Sequence, residues 1–138
     1  MDDLEFAADG RRYELGTPSM PSAAIARGGM DLVHEIGVAR LGERTGDLGD
    51  LLVAQAADAG LAIRGPREAG NRGGIVPIGM ADPKPVVDAL ADEGIIVDFR
   101  PGVVRCSPAF YNTEDEVRLL VERLDRLVPA ADRAVSPG

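Results

Sequence analysis

Apolar positions recur along the chain with two different periods. From Ser22 to Glu35, Ala23, Ala26, Met30 and Val33 fall on one helical stripe, and Gly37 supplies a stop. From Val38 to Ala59 the same spacing brings Leu41, Leu48, Leu51, Leu52 and Ala56 together, up to a cap at Gly60. Gly46 and Gly49 weaken the middle of this second helix by ~1 kcal/mol each relative to alanine.

The texture then shortens. Leu61 to Arg64 and Ile75 to Met80 read as two strands of a hairpin joined by the Gly/Pro-rich stretch Gly65 to Gly73. Pro77 has no N–H to donate, so its strand is expected at a sheet edge or a bulge. Asp82-Pro83 is a helix start, with Val86, Val87, Leu90 and Ala91 on the buried side and a stop at Gly94. Ile95 to Phe99 and Val103 to Ser107 read as strands around the turn Arg100-Pro101-Gly102. The last helix opens on a capping box, Thr113 with Glu116, and carries Val117, Leu120, Val121, Leu124 and Val128 on one stripe up to Pro129. At the front, Asp9-Gly10 is a turn before a short extended run, Arg11 to Leu15.

Helices and short strands in this order predict an α+β fold: a small antiparallel or mixed sheet of three to four strands with helices on one face. The expected organisation is a leading arm over 1–10, one small domain over 11–128, and a disordered tail over 129–138. A chain of 138 residues, 45% hydrophobic, is the size of one domain and buries roughly two-thirds of its unfolded surface.

Charge narrows the partners. The 15 basic and 23 acidic residues give a net charge of −8, which repels a phosphate backbone or an anionic membrane surface. No nucleic acid and no membrane is expected as partner, and no apolar run approaches the ~20 residues of a membrane helix. A single cysteine excludes an internal disulfide, and the acidic start lacks a signal peptide's positive region, so a cytoplasmic location is expected. The only lysine is Lys84; the other 14 basic residues are arginines.

Few residues invite chemistry. His34 is the only histidine and sits beside Val33 as a boundary residue, and Cys106 lies on a strand with no obvious base beside it. Glu114-Asp115-Glu116 suit the first turn of a helix and need no metal. Gly70-Asn71-Arg72-Gly73-Gly74 resembles an anion nest in composition but does not open a helix. Gly16-Thr17-Pro18-Ser19 does precede a helix, and could offer backbone N–H groups and the Thr17 hydroxyl to an anion or be a plain turn. Strand alternation separates Val104 and Cys106 from Arg105, whose fork suits a carboxylate, although a surface salt bridge is the commoner use.

Three strings stand out together: Arg12-Tyr13-Glu14-Leu15-Gly16-Thr17-Pro18, Arg72-Gly73-Gly74-Ile75-Val76, and Val104-Arg105-Cys106-Ser107-Pro108-Ala109-Phe110-Tyr111-Asn112-Thr113-Glu114-Asp115-Glu116. With them the chain, from about Arg11 to Leu127, resembles the C-terminal part of the class V aminotransferase family. These are fold type I pyridoxal-phosphate enzymes and include cysteine desulfurases, kynureninases and isopenicillin N epimerase-like proteins. The resemblance implies a small sheet with helices on one face. It implies that Thr17, with Gly16 before it, touches the cofactor phosphate of a partner subunit, and that Arg105 holds the α-carboxylate of a small amino-acid substrate.

In this family the lysine that binds the pyridoxal aldehyde lies upstream of the Gly-Thr segment, in a large domain to which no part of this sequence corresponds. Lys84, between Pro83 and Pro85, does not match it. Three readings follow: a subunit of a split enzyme whose companion chain supplies the lysine, an excised small domain, or a non-catalytic regulatory module that kept the fold. The start at Met1 favours a self-standing polypeptide. The expectation is the split enzyme, a homo- or hetero-oligomer that takes up pyridoxal 5'-phosphate only with its companion.

Overall fold

The computed structural model describes residues 5–14 and 16–133. The chain divides into two compact units, Met1–Val38 and Ala39–Gly138.

In the first unit, a 3-10 turn at Gly10–Tyr13 stands where an extended run was expected. The Asp9 carboxylate decides this locally. It accepts from the Arg11 backbone N–H at 3.0 Å and from Arg11 Nε, while the Arg12 N–H reaches Asp9 O. An aspartate bonded two residues ahead closes a turn and outweighs a weak β pattern. Helix α1 (Met20–Ile36) starts at Ser19, whose hydroxyl accepts from the Ser22 N–H, and stops at Gly37, whose φ of 92° favours glycine. Its periodicity is helical as expected, yet it buries none of its residues.

The second unit carries the core. Helix α2 (Val38–Asp58) buries Leu48, Leu52 and Ala56, and Gly60 ends it at φ 70°. Strand β1 (Val76–Gly79), helix α3 (Pro83–Asp92), strands β2 (Asp98–Arg100) and β3 (Val103–Cys106) and helix α4 (Glu114–Leu127) follow. The sheet is antiparallel with order β1-β3-β2. Val76, Ile78, Val104 and Cys106 turn one face of it into a single apolar cluster with α2, Val86 and Leu90 of α3, and Val117, Leu120, Val121 and Leu124 of α4. This is the α+β architecture expected, with three strands and α2, α3 and α4 on one face.

Pro77 does lie in an edge strand. Beyond it Leu61 to Arg64 forms only a bridge, Ile63 to Ile78, in which Arg64 N–H donates to Pro77 O and Gly79 N–H to Ala62 O. The proline offers an acceptor but no donor, so the fourth strand stays rudimentary. The strand expected over Ile95 to Phe99 begins only at Asp98, because the hairpin register pairs 98–100 with 103–105, and Ile96 is left exposed. Ala91, expected in the core, is exposed, and Pro83 is buried instead. The capping box forms in full, with Thr113 Oγ1 accepting from Glu116 N–H and the Glu116 carboxylate from Thr113 N–H. The stretch expected to be a disordered tail from 129 opens with a 3-10 turn, Ala130–Asp132. Asp132 accepts the Ala81 N–H, and Arg133 donates to Ala59 O and Asp125. Residues 134–138 lie outside the described residues. Among the described residues no helix is long and apolar enough to cross a membrane.

Candidate functional site: the open face of the sheet

Because α2, α3 and α4 cover one face, strand alternation places Pro77, Asp98, Arg100, Val103 and Arg105 on the other. Arg105 stands opposite Pro77 on one side and Asp98 on the other. Its Nη1 meets Asp98 Oδ2 at 3.0 Å, and its side chain is 29% exposed. The same oxygen accepts Arg100 Nη1 at 2.8 Å. Two guanidiniums thus share one carboxylate, an excess of one positive charge in a chain whose net charge is −8. A saturated bidentate pair would engage two nitrogens of Arg105 with two oxygens; here one nitrogen meets one oxygen. The Phe99 N–H bonded to Asp98, and after it the two arginines, hold that carboxyl below the usual carboxylate range.

The loop that follows Arg105 is internally wired. Asn112 Oδ1 accepts from Ala109 N–H, and Asn112 Nδ2 donates to Glu116. Arg44 on α2 donates through Nη2 to Asn112 O at 3.1 Å and approaches Glu114 at 3.9 Å. Sequence reading missed Arg44, since nothing local marks a contact across 68 positions. It also missed Asp98, which becomes Arg105's neighbour only through the hairpin register.

The Gly70–Gly74 loop is not an anion nest. Arg72 folds back with its side chain only 4% exposed, paired to Asp50 and donating to Arg67 O. Gly49 permits this approach, since a Cβ there would stand 3.1 Å from Arg72 Nη2. Cys106 is wholly buried, and burial pushes its thiol up to about 12, so no thiolate forms near neutral pH. His34 is exposed on α1. Among the described residues no cluster of ligating side chains could hold a metal.

Thr17 belongs to the first unit and Arg105 to the second. Thr17 is exposed, in a depression lined by Glu14, Gly16, Thr17 and Pro18 just ahead of α1. Gly16 has φ 143°, and open space surrounds the place a Cβ would take. A hydroxyl beside a 17-residue helix's N-terminus suits a phosphate, although Glu14 opposes it. Lys84 is engaged by Asp88 at 2.6 Å on the exposed side of α3. Each taken in its own unit, Thr17 has the chemistry to meet a phosphate and Arg105 the chemistry to meet a carboxylate, while Lys84 is already paired with Asp88.

The kynureninase C-terminal domain family matches this chain over residues 41–124, more than half of its length. The chain belongs to that family. The matched stretch contains Arg105, Asp98 and Arg44 and excludes Thr17. A kynureninase of Bacillus cereus (strain ATCC 10987 / NRS 248) is 34% identical over 122 residues, which is 84% of this chain and 28% of the relative. An uncharacterized aminotransferase of Bacillus subtilis (strain 168), YcbU, is 28% identical over 122 residues, 88% of this chain and 33% of its own. The apo structure of a cysteine desulfurase from Thermococcus onnurineus NA1 shares the fold, with a TM-score of 0.77 at 22% identity over 91% of this chain and 37% of that one. The family is thus that of the C-terminal small domain of class V aminotransferase-like enzymes, and the chain spans about a third or less of the curated relatives it matches.

Proposed function

We propose that this chain is the small-domain part of a pyridoxal-phosphate-dependent enzyme acting on an amino acid, with the large domain supplied by another chain. The observation that carries this reading is Arg105: a guanidinium on the uncovered face of the sheet, held at one nitrogen by a carboxylate that Arg100 shares. In this reading Arg105 grips the substrate α-carboxylate and so fixes which bond at Cα faces the cofactor. Thr17, with the backbone at Gly16, contacts the cofactor phosphate across a subunit boundary. Pyridoxal phosphate, when bound, supplies the electron sink for breaking that bond. Which bond breaks is decided by residues outside this chain.

The chain by itself is expected to form no specific borohydride-fixable bond with pyridoxal phosphate and to turn over no amino acid. Its only lysine sits in an exposed pair with Asp88 on α3. Mass spectrometry after borohydride treatment checks this, and a stoichiometric adduct on Lys84 together with turnover would overthrow the proposal.

A companion surface is also expected. Met20, Ile25 and Met30 are each at least 70% exposed along α1, a helix of 17 residues that buries none of them. Apolar exposure on this scale invites association. The purified chain is expected to elute above 14.5 kDa or to co-elute with a large-domain polypeptide encoded beside it. Strict monomer behaviour at high concentration, with such a companion present and unbound, counts against the split-enzyme reading.

A further inference from the structure

The open face of the sheet carries a single acid between two bases, and that acid is held from three sides. Oδ1 of Asp98 accepts the Phe99 N–H at 2.8 Å, and Oδ2 accepts Arg100 Nη1 at 2.8 Å and Arg105 Nη1 at 3.0 Å. Three donors on two oxygens leave the carboxylate one orientation. On the far side of Arg105 stands Pro77 of β1, which brings no charge and no side-chain hydrogen bond. The groups that act on Asp98 are therefore the Phe99 N–H and the two arginines. The orientation of Arg105 is set from β2.

We propose that Asp98 is the positioning residue for Arg105, anchoring one arm of its guanidinium and leaving the other N–H groups for an incoming carboxylate. The proposal rests on the carboxylate reading of Arg105 and adds the residue that aims it. A full negative charge is needed at this place, since without it Arg100 and Arg105 would repel each other across the hairpin. The opposite role, an internal competitor that vacates its place when substrate arrives, fits poorly. Withdrawal of Asp98 would break its bonds to Phe99, Arg100 and Arg105 together.

The experiment uses the full chain with its arginines labelled with 15N, the Arg105 Nε–H resonance being identified by its loss in Arg105→Lys. Arg105 is expected to be better ordered than Arg27, whose pair with Asp31 is exposed and 3.7 Å long. In Asp98→Asn that order is expected to fall to the level of Arg27 while the backbone resonances of Val104 and Cys106 stay in place. Asp98→Glu is expected to restore part of it.

Acid supplies a test on the unaltered chain. The folded-state value for Asp98 lies below the ordinary 3.8, so the anchor is complete above that pH and disappears as the pH falls through the lower, folded value. Arg105 as mobile as Arg27 in the unaltered chain, or as ordered in Asp98→Asn as before, overturns the proposal. So does tighter amino-acid binding by a reconstituted Asp98→Asn complex, the mark of a competitor. The order measurement involves no substrate and fails or succeeds independently of the carboxylate reading, which instead falls if a reconstituted Arg105→Lys complex binds amino acids undiminished.

Discussion

Arg105→Ala is expected to weaken amino-acid binding in the reconstituted complex by about 2–4 kcal/mol, the cost of a lost charge-assisted pair in a desolvated site. At ~1.4 kcal/mol per tenfold this is a loss of roughly 30- to 800-fold in affinity. Arg105→Lys keeps the charge but loses the fork, and is expected to fall between the two. Thermal stability and cofactor occupancy should change little in either variant, because the contact removed is one hydrogen bond to an exposed, shared carboxylate. Titration with an amino acid, set beside a melting curve, separates the readings. Affinity lost with stability intact supports the substrate role, and stability lost with affinity intact assigns Arg105 to the fold and this chain to a non-catalytic module.

Leu52→Ala is expected to destabilise the chain by about 2–5 kcal/mol, the range for truncating a fully buried leucine. Leu52 is 0% exposed and stands on α2 within the cluster that also holds Ile78, Val104 and Leu124. A domain of this size is held together by about 5–15 kcal/mol in total, so this one change is a large share of it. Ile25→Ala on α1 is the matched control. Its side chain is 79% exposed, and removing it should stay within about 0.5 kcal/mol by chemical denaturation. An equal loss in both variants would mean that α1 contributes to the same folding unit as the core.

These two leucine and isoleucine positions also mark where sequence reading succeeds and where it stops. Both α1 and α2 have helical periodicity, and both form at nearly the expected bounds. Periodicity reports that a stripe exists, while burial requires something for the stripe to meet, and only α2 buries its own. The short segments fared similarly. Val104 and Cys106 were separable from Arg105 by alternation alone, whereas Ile95 to Val97 carried a β composition with no strand placed to pair with it. Asp9 turned a β-like run into a 3-10 turn through one carboxylate contact that a period-two pattern does not register.

The candidate site divides in the same way. Arg105, its face and the capping box that follows it were legible in the sequence, because alternation and capping are rules over two to three positions. So was the family, whose strings are local. Asp98 and Arg44 were not, since one reaches the site through hairpin register and the other across 68 positions of chain. The sequence by itself determined which residues could form helices, where they stop, and which way Arg105 faces. Only the tertiary structure decided which helical stripe is buried, that Arg72 is spent inside the loop rather than offered to an anion, and that Asp98 is shared between two arginines. The reason is physical: local patterns follow from a few neighbouring dihedrals, while ion pairing and burial depend on contacts that exist only once distant segments have met.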